Sequence, residues 1–200
     1  MVSEVAICNN ALLKIHAQTI TALTDNSQEA VACNIYYEQM RDDVLTAHPW
    51  NFAITEATPS LSVDTPLITQ FSYKYLIPAD SLRIIKVVDS SGHPHAFKVK
   101  GGFIYTNGSG IKCEYIRKET DTAKFSAQFV DVLATRLAGE LAYALAGASE
   151  RSQFLMSLYK DKLTEAKRRD GQEGTPDKIT ASTWINSRHS SNVKDPTLVQ

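Results

Sequence analysis

The chain is poor in the residues that mark redox, metal and membrane proteins. It has three cysteines, Cys8, Cys33 and Cys113, odd in number, far apart and without a C-x-x-C pair. Such usage argues against a disulfide framework and predicts three buried or half-buried thiols in a reducing compartment. No stretch approaches the roughly 20 apolar residues that cross a bilayer. The start, Met1-Val2-Ser3-Glu4, lacks the basic residues and apolar run of a signal peptide, so folding in a cytosol without a membrane anchor is expected. An excess of one charge is missing too. The 21 Lys and Arg stand against 22 Asp and Glu, a net charge of −1. Nothing global therefore pulls the chain toward nucleic acid or an anionic surface.

What is present suits a soluble globular protein. The 43% hydrophobic residues in 200 are enough for one sizeable core. Residues 3–17 read as a helix capped by Ser3, with Ile7, Ala11, Leu12 and Ile15 on one face. Asn26 and Glu29 have the spacing of a capping box. The next helix runs to His48, with Val31, Ile35, Met40, Val44 and Leu45 as its apolar positions, and Pro49 stops it. From Asn51 to Lys118 the period changes to that of strands. Strands are expected near 71–77, 82–88, 96–100, 103–105 and 111–117, joined as an antiparallel meander by turns at Asp89–Gly92, Gly101-Gly102 and Asn107–Gly110.

Residues 125–147 return to helix. Phe129, Leu133, Leu137, Leu141 and Leu145 recur every fourth residue beside a small-residue stripe of Ala134, Ala138 and Ala142. That stripe lets a neighbour approach closely, either another helix of this chain or one from another subunit. Gly147 ends the helix, Ser149 caps the next, and residues 150–169 turn Leu155, Tyr159, Leu163 and Ala166 inward. From Gly171 the chain is polar and irregular, with too few large apolar residues for a core of its own.

Candidate chemical sites are sparse. His93-Pro94-His95 has no nearby cysteine and no acid at a recognised ligand spacing, so it reads as a surface turn. Glu38, Asp42 and Asp43 read as a solvated helix face or an inter-subunit salt bridge with Arg41. Asn107-Gly108-Ser109-Gly110 lacks the lysine and following helix of a phosphate loop. Lys167-Arg168-Arg169 complements a helix C-terminus. Trp50 and Phe52 read as core at a junction. No nucleophile triad or carboxylate pair stands out, and no catalytic residue, metal or cofactor is expected.

Three blocks, in order, resemble one family. The first is Arg41-Asp42-Asp43-Val44-Leu45-Thr46-Ala47-His48-Pro49-Trp50-Asn51-Phe52-Ala53, with Tyr36 and Tyr37 upstream. The second is Tyr75-Leu76-Ile77-Pro78-Ala79-Asp80-Ser81-Leu82-Arg83-Ile84. The third runs from Tyr115-Ile116-Arg117 through Phe125, Phe129, Leu133-Ala134, Leu137-Ala138 and Glu140-Leu141-Ala142. It continues to Leu163-Thr164-Glu165-Ala166 and Asp170-Gly171-Gln172-Glu173. Together they resemble the head–tail adaptors of short-tailed phages, the tail tubular protein A family.

The resemblance implies an α+β fold. A four-helix bundle (1–50 and 124–170) would carry an antiparallel β domain (51–123) inserted between its second and third helices, with an extended C-terminal arm over 171–200. It implies a structural protein of the virion neck, not an enzyme, assembled in the host cytoplasm as a dodecameric ring. That ring would bind the portal protein above and the tail nozzle protein below, and DNA would pass through its lumen without sequence recognition. By position, Ile179, Trp184, Ile185 and Arg188 would anchor the arm on the portal. Gly101, Gly102, Asn107 and Gly108 would face the nozzle at hairpin tips, and Arg41, Ala134, Ala138 and Ala142 would lie at the subunit interface. The runner-up reading, from another class, is a virion-associated enzyme that degrades cell-wall or surface glycans.

Overall fold

The computed structural model describes residues 2–64, 66, 70–147 and 149–173. The fold is α+β, with four α-helices and two small antiparallel sheets among the described residues. The helices are α1 (Glu4–Lys14), α2 (Gln28–Ala47), α3 (Ala127–Ala146) and α4 (Ser149–Asp170). Ser3 caps α1 by accepting from Ala6 N at 3.1 Å. Ser27, and not Asn26, caps α2, accepting from Ala30 N at 3.2 Å. Gly147 closes α3 in the left-handed region at φ 56°, which glycine adopts without a Cβ clash.

Among the described residues six strands lie between α2 and α3: β1 (Ile54–Ala57), β2 (Tyr73–Leu76), β3 (Ser81–Val88), β4 (Phe97–Lys100), β5 (Phe103–Thr106) and β6 (Lys112–Arg117). They do not form the expected meander. One sheet has the order β1-β6-β3 and the other β2-β5-β4. Tyr75 and Ile104 of one sheet share a buried core with Val87, Cys113 and Tyr115 of the other. A single flat meander would leave one of those apolar faces in water. The short strand β1 has too few residues to show a period.

Strand β6 serves two cores. Cys113 and Tyr115 face the strands, while Ile116, on the opposite face, joins the helical core. In β3 the alternation is broken. Register shifts lie between Ser81 and Arg83 and between Ile84 and Lys86. The extra residue of a bulge explains why Leu82 and Ile85 both pack on the helical core while Ile84 and Val87 both face the strand core.

Helix α3 lies at the centre of the helical part, packed against α1, α2 and α4. Phe129, Leu133, Leu137 and Leu141 are fully buried. Both α2 and α4 run antiparallel to it. Arg136 Nε reaches Asp43 of α2 at 3.2 Å, and Trp50, just beyond α2, packs on Phe129. Gly139 takes a hydrogen bond from Ser152 of α4 at 2.8 Å, and Asp131 takes one from Lys162 at 2.6 Å. Lys14 of α1 also reaches Asp131, at 3.2 Å. Burial pushes the Asp131 carboxyl up, but the two ammonium groups outweigh it and hold the acid below its usual range.

The buried face of α2 differs from the expected one. Ala30, Cys33, Tyr37, Met40 and Val44 point inward, whereas Val31 and Ile35 are 51% and 63% exposed. On that face α2 also meets α1. Cys8 and Cys33 meet there, and their mutual hydrogen bond together with burial raises the Cys8 thiol's pKa.

Candidate functional site

Helices and strands join at one place, built by the first residues after α2. Pro49 forbids the helix to continue, and His48 is already extended. Trp50 then turns into the core, fully buried, with its indole Nε1 donating to the Val44 carbonyl at 2.9 Å. It packs edge-on against His48 and Phe129, with ring centroids 5.0 and 5.2 Å away. Phe52, Phe125 and Phe129 complete the aromatic cluster, as expected for a junction core. The backbone knits the same region. Arg117 N donates to Ala53 at 2.8 Å, Lys118 N to Asp80 at 2.7 Å, and the Arg83 guanidinium to the Thr46 carbonyl at 3.1 Å.

Asp170, the last residue of α4, clasps this junction from the other side. Its carboxylate lies 3.0 Å from His48 Nε2 and accepts from Asn51 N at 3.3 Å. Its carbonyl accepts from Asn51 Nδ2 at 2.8 Å. An acid at a helix C-terminus opposes the dipole, so it needs partners elsewhere. That mismatch is the sequence signal that points to this clasp.

A charged network borders the junction. Arg41 donates to Asp42 at 2.8 and 2.9 Å and to Glu38 at 3.3 Å. Lys118, just after β6, meets Glu38 at 2.5 Å and Asp42 at 3.2 Å. The Lys118 ammonium holds the Glu38 carboxyl below its usual range, and Glu38 in turn raises Lys118. Arg41 itself is only 4% exposed. Its guanidinium is engaged inside the chain, which corrects its expected place at a subunit interface.

The alanine stripe is corrected in the same way. Ala134, Ala138 and Ala142 are all 0% exposed. The chain's own helices cover them, so they have no surface left for another subunit. The small residues serve the close packing of α3 within the fold.

The two turns expected to face one partner lie at opposite ends of β5. Gly101 and Gly102, at φ 57° and 79°, make the exposed two-residue β4–β5 turn. Asn107 and Gly108 begin the link from β5 to β6, where Asn107 is exposed and Gly108 is buried. Asn107 Oδ1 accepts from Ser72 N at 2.9 Å. The Tyr75 hydroxyl donates to the Gly108 carbonyl at 3.1 Å, and a Cβ on Gly108 would lie 2.9 Å from Ile111 and 3.0 Å from the His95 ring. Asn107 and Gly108 are therefore not a free hairpin tip.

The arm residues Ile179, Trp184, Ile185 and Arg188 lie outside the described residues. At the His93-Pro94-His95 turn both imidazoles approach Asp89, at 3.5 and 3.4 Å. Among the described residues no group of three or more His, Cys, Asp or Glu is arranged to hold a metal ion, and no helix is long and apolar enough to cross a membrane. A cleft of about 170 Å³ on the β1-β6-β3 sheet is lined by Glu56, Lys86, Lys112 and Glu114. Glu56 and Glu114 are cross-strand partners there. No protein-family model matches the chain, and no curated protein matches it either.

Proposed function

We propose that this chain is a structural head-to-tail adaptor of a phage virion. It would form a ring between portal and tail nozzle and continue the DNA channel. The observation that carries the reading is convergence. The three blocks that resemble the adaptor family lie far apart in sequence, yet they meet at the helix–strand junction. Trp50 and Asn51 come from the first block, Asp80 and Arg83 from the second, and Phe129 and Asp170 from the third. What resembles the family is thus one spatial unit and not a scatter of common helix patterns.

The finer architecture follows from the same reading. Residues 1–50 and 124–170 make a four-helix bundle, 51–123 make the inserted β domain, and the arm begins at 171. Because Asp170 sits at the junction, the arm is rooted beside the β domain. Trp184 and Ile185 are its apolar anchors for a portal, a use that suits an aromatic side chain seated in a partner's pocket. A near-neutral chain suits a tube through which DNA slides, since clustered lysines and arginines would grip phosphate.

We read the chain as non-enzymatic. In the cleft, Glu56 and Glu114 share an open charged face with two lysines. Glycan hydrolysis needs two carboxyls in unlike surroundings, one to give a proton and one to attack or to activate water.

The deciding experiment is sedimentation and electron imaging of the chain mixed with the portal protein encoded in the same genome. A ring seated on the portal is expected. Absence of any ring-sized complex overturns the reading.

A further inference from the structure

We propose that the outer face of the β2-β5-β4 sheet binds single-stranded nucleic acid, with Tyr105 stacking on a base and Lys74, Lys98 and Lys100 meeting the phosphates around it. The proposal goes beyond the adaptor reading, in which a duplex passes without being held. The face follows from strand alternation. Tyr75, Ile104 and Phe97 turn toward the strand core. Lys74 and Leu76 of β2, Phe103 and Tyr105 of β5, and Lys98 and Lys100 of β4 occupy the alternate positions and turn the other way.

Register sets the charges around the ring. Lys74 of β2 and Lys98 of β4 stand directly opposite Tyr105, one on each side. Strand spacing puts their backbones about 4.8 Å from its own. Lys100, opposite Phe103, extends the row by one step. The Lys74 Nζ lies 3.9 Å from the Phe103 ring centroid, so Phe103 holds that ammonium at the face. Tyr105 is half-buried, and among the described residues no other ring or cation is seated on it. It is the ring left open to a base.

Charge says what kind of partner fits. The three strands carry three lysines and no acid, in a chain whose net charge is −1. Lys98 and Lys100 are exposed, and among the described residues no carboxylate lies within salt-bridge reach of either. Asp64 lies 3.8 Å from Lys74 and is itself 82% exposed, a pairing that water screens and a phosphate can replace. Edge lysines also guard a sheet against strand pairing. Lys74 is not on a free edge, since Ser62 N donates to its carbonyl at 2.8 Å. The face therefore asks for a partner that is both anionic and flat. Nucleic acid supplies both in every repeat, as phosphate and base. An acidic peptide brings charge but nothing flat for Tyr105. A duplex hides its base faces in the stack, so the single strand is the form that fits.

The test is fluorescence anisotropy of the full-length chain with labelled oligothymidylate at low salt, beside a labelled duplex of equal length and labelled polyglutamate. The single strand is expected to bind more tightly than either. Oligouridylate should bind alike, because base faces and phosphates are common to both strands. Three phosphate contacts predict a slope of about −2 for the logarithm of the binding constant against that of salt concentration. Lys98→Gln, an exposed change, should reduce that slope by about 0.7. Tyr105→Leu should weaken binding about tenfold, while Tyr105→Phe, which keeps the ring, should bind like the native chain. Equal binding of the duplex or of polyglutamate overturns the proposal, as does no binding of the single strand at low salt. So does undiminished binding by Lys98→Gln or by a folded Tyr105→Leu. The adaptor reading fails on a different result, the absence of a complex with the portal.

Discussion

His48 Nε2 and Asp170 Oδ2 lie 3.0 Å apart, although the residues are 122 positions apart in sequence. The contact joins the end of α2 to the end of α4, so the first and last helices of the long hairpins are tied where the strands begin. Replacing Asp170 by Ala leaves the Asn51 N–H and the His48 ring without their acceptor in a buried place. The expected cost is about 2 kcal/mol, roughly 4–8 °C in melting temperature. Asp170→Asn retains one acceptor and should lose less. Thermal unfolding followed by circular dichroism measures both.

Glu119 supplies the acid sensitivity. It is 4% exposed and accepts from Asp121 N at 3.0 Å and from Lys124 at 3.0 Å, and Arg117 also pairs with it. Burial pushes its carboxyl up, but these donors outweigh burial and the net shift is downward. A depressed folded value means that the unfolded chain binds the proton more readily. The stabilisation is therefore fully present above the unfolded value of about 4.3 and is lost as pH falls through the lower folded one. Glu119→Gln should cost about 1.5–3 kcal/mol at neutral pH, and the cost should shrink at acid pH as the wild-type carboxyl takes up its proton. Urea unfolding at the two pH values separates these outcomes.

Two glycines should fail for different reasons. At Gly101 the space is open but φ is +57°, so Gly101→Ala is strained by about 1 kcal/mol and Gly101→Asn largely restores stability. At Gly108 a new Cβ meets Ile111 and the His95 ring, so Gly108→Ala should cost about 1–3 kcal/mol. Asn at that site should do worse than Ala, because the obstacle is volume. Chemical denaturation of the four variants gives the contrast.

The helices were legible because long 3.6-residue periods and serine caps are local signals. The face of α2 was not. Val31 and Ile35 carry more hydropathy than Ala30 and Cys33, yet the fold turns the smaller residues inward. Five of the six strands were legible from alternation and turn residues. The β4–β5 hairpin at Gly101-Gly102 was legible too, but the other pairings were not, because the strands divide between two sheets in an order that no turn signals. Of the proposed contact residues, the alanines and Arg41 misled for one reason. Apolar or charged character tells that a side chain needs a partner, and only the fold tells whether that partner is in the same chain.

The position of Asp170 makes the proposed arm separable from the fold by a difference of a few residues. A chain ending at Glu173 keeps the whole of α4 and its clasp on His48 and Asn51. It should melt like the full-length protein and lose binding to the portal. A chain ending at Arg169 lacks only four residues more, but it removes the carboxylate and carbonyl that hold the junction, and it should melt lower by about as much as Asp170→Ala. Trp184→Ala in the full-length chain should reproduce the first behaviour, with weaker portal binding and an unchanged melt. Calorimetry and co-sedimentation on the three proteins tell the two roles apart. A chain ending at Glu173 that still binds the portal at full strength would move the portal contact off the arm and onto the folded body.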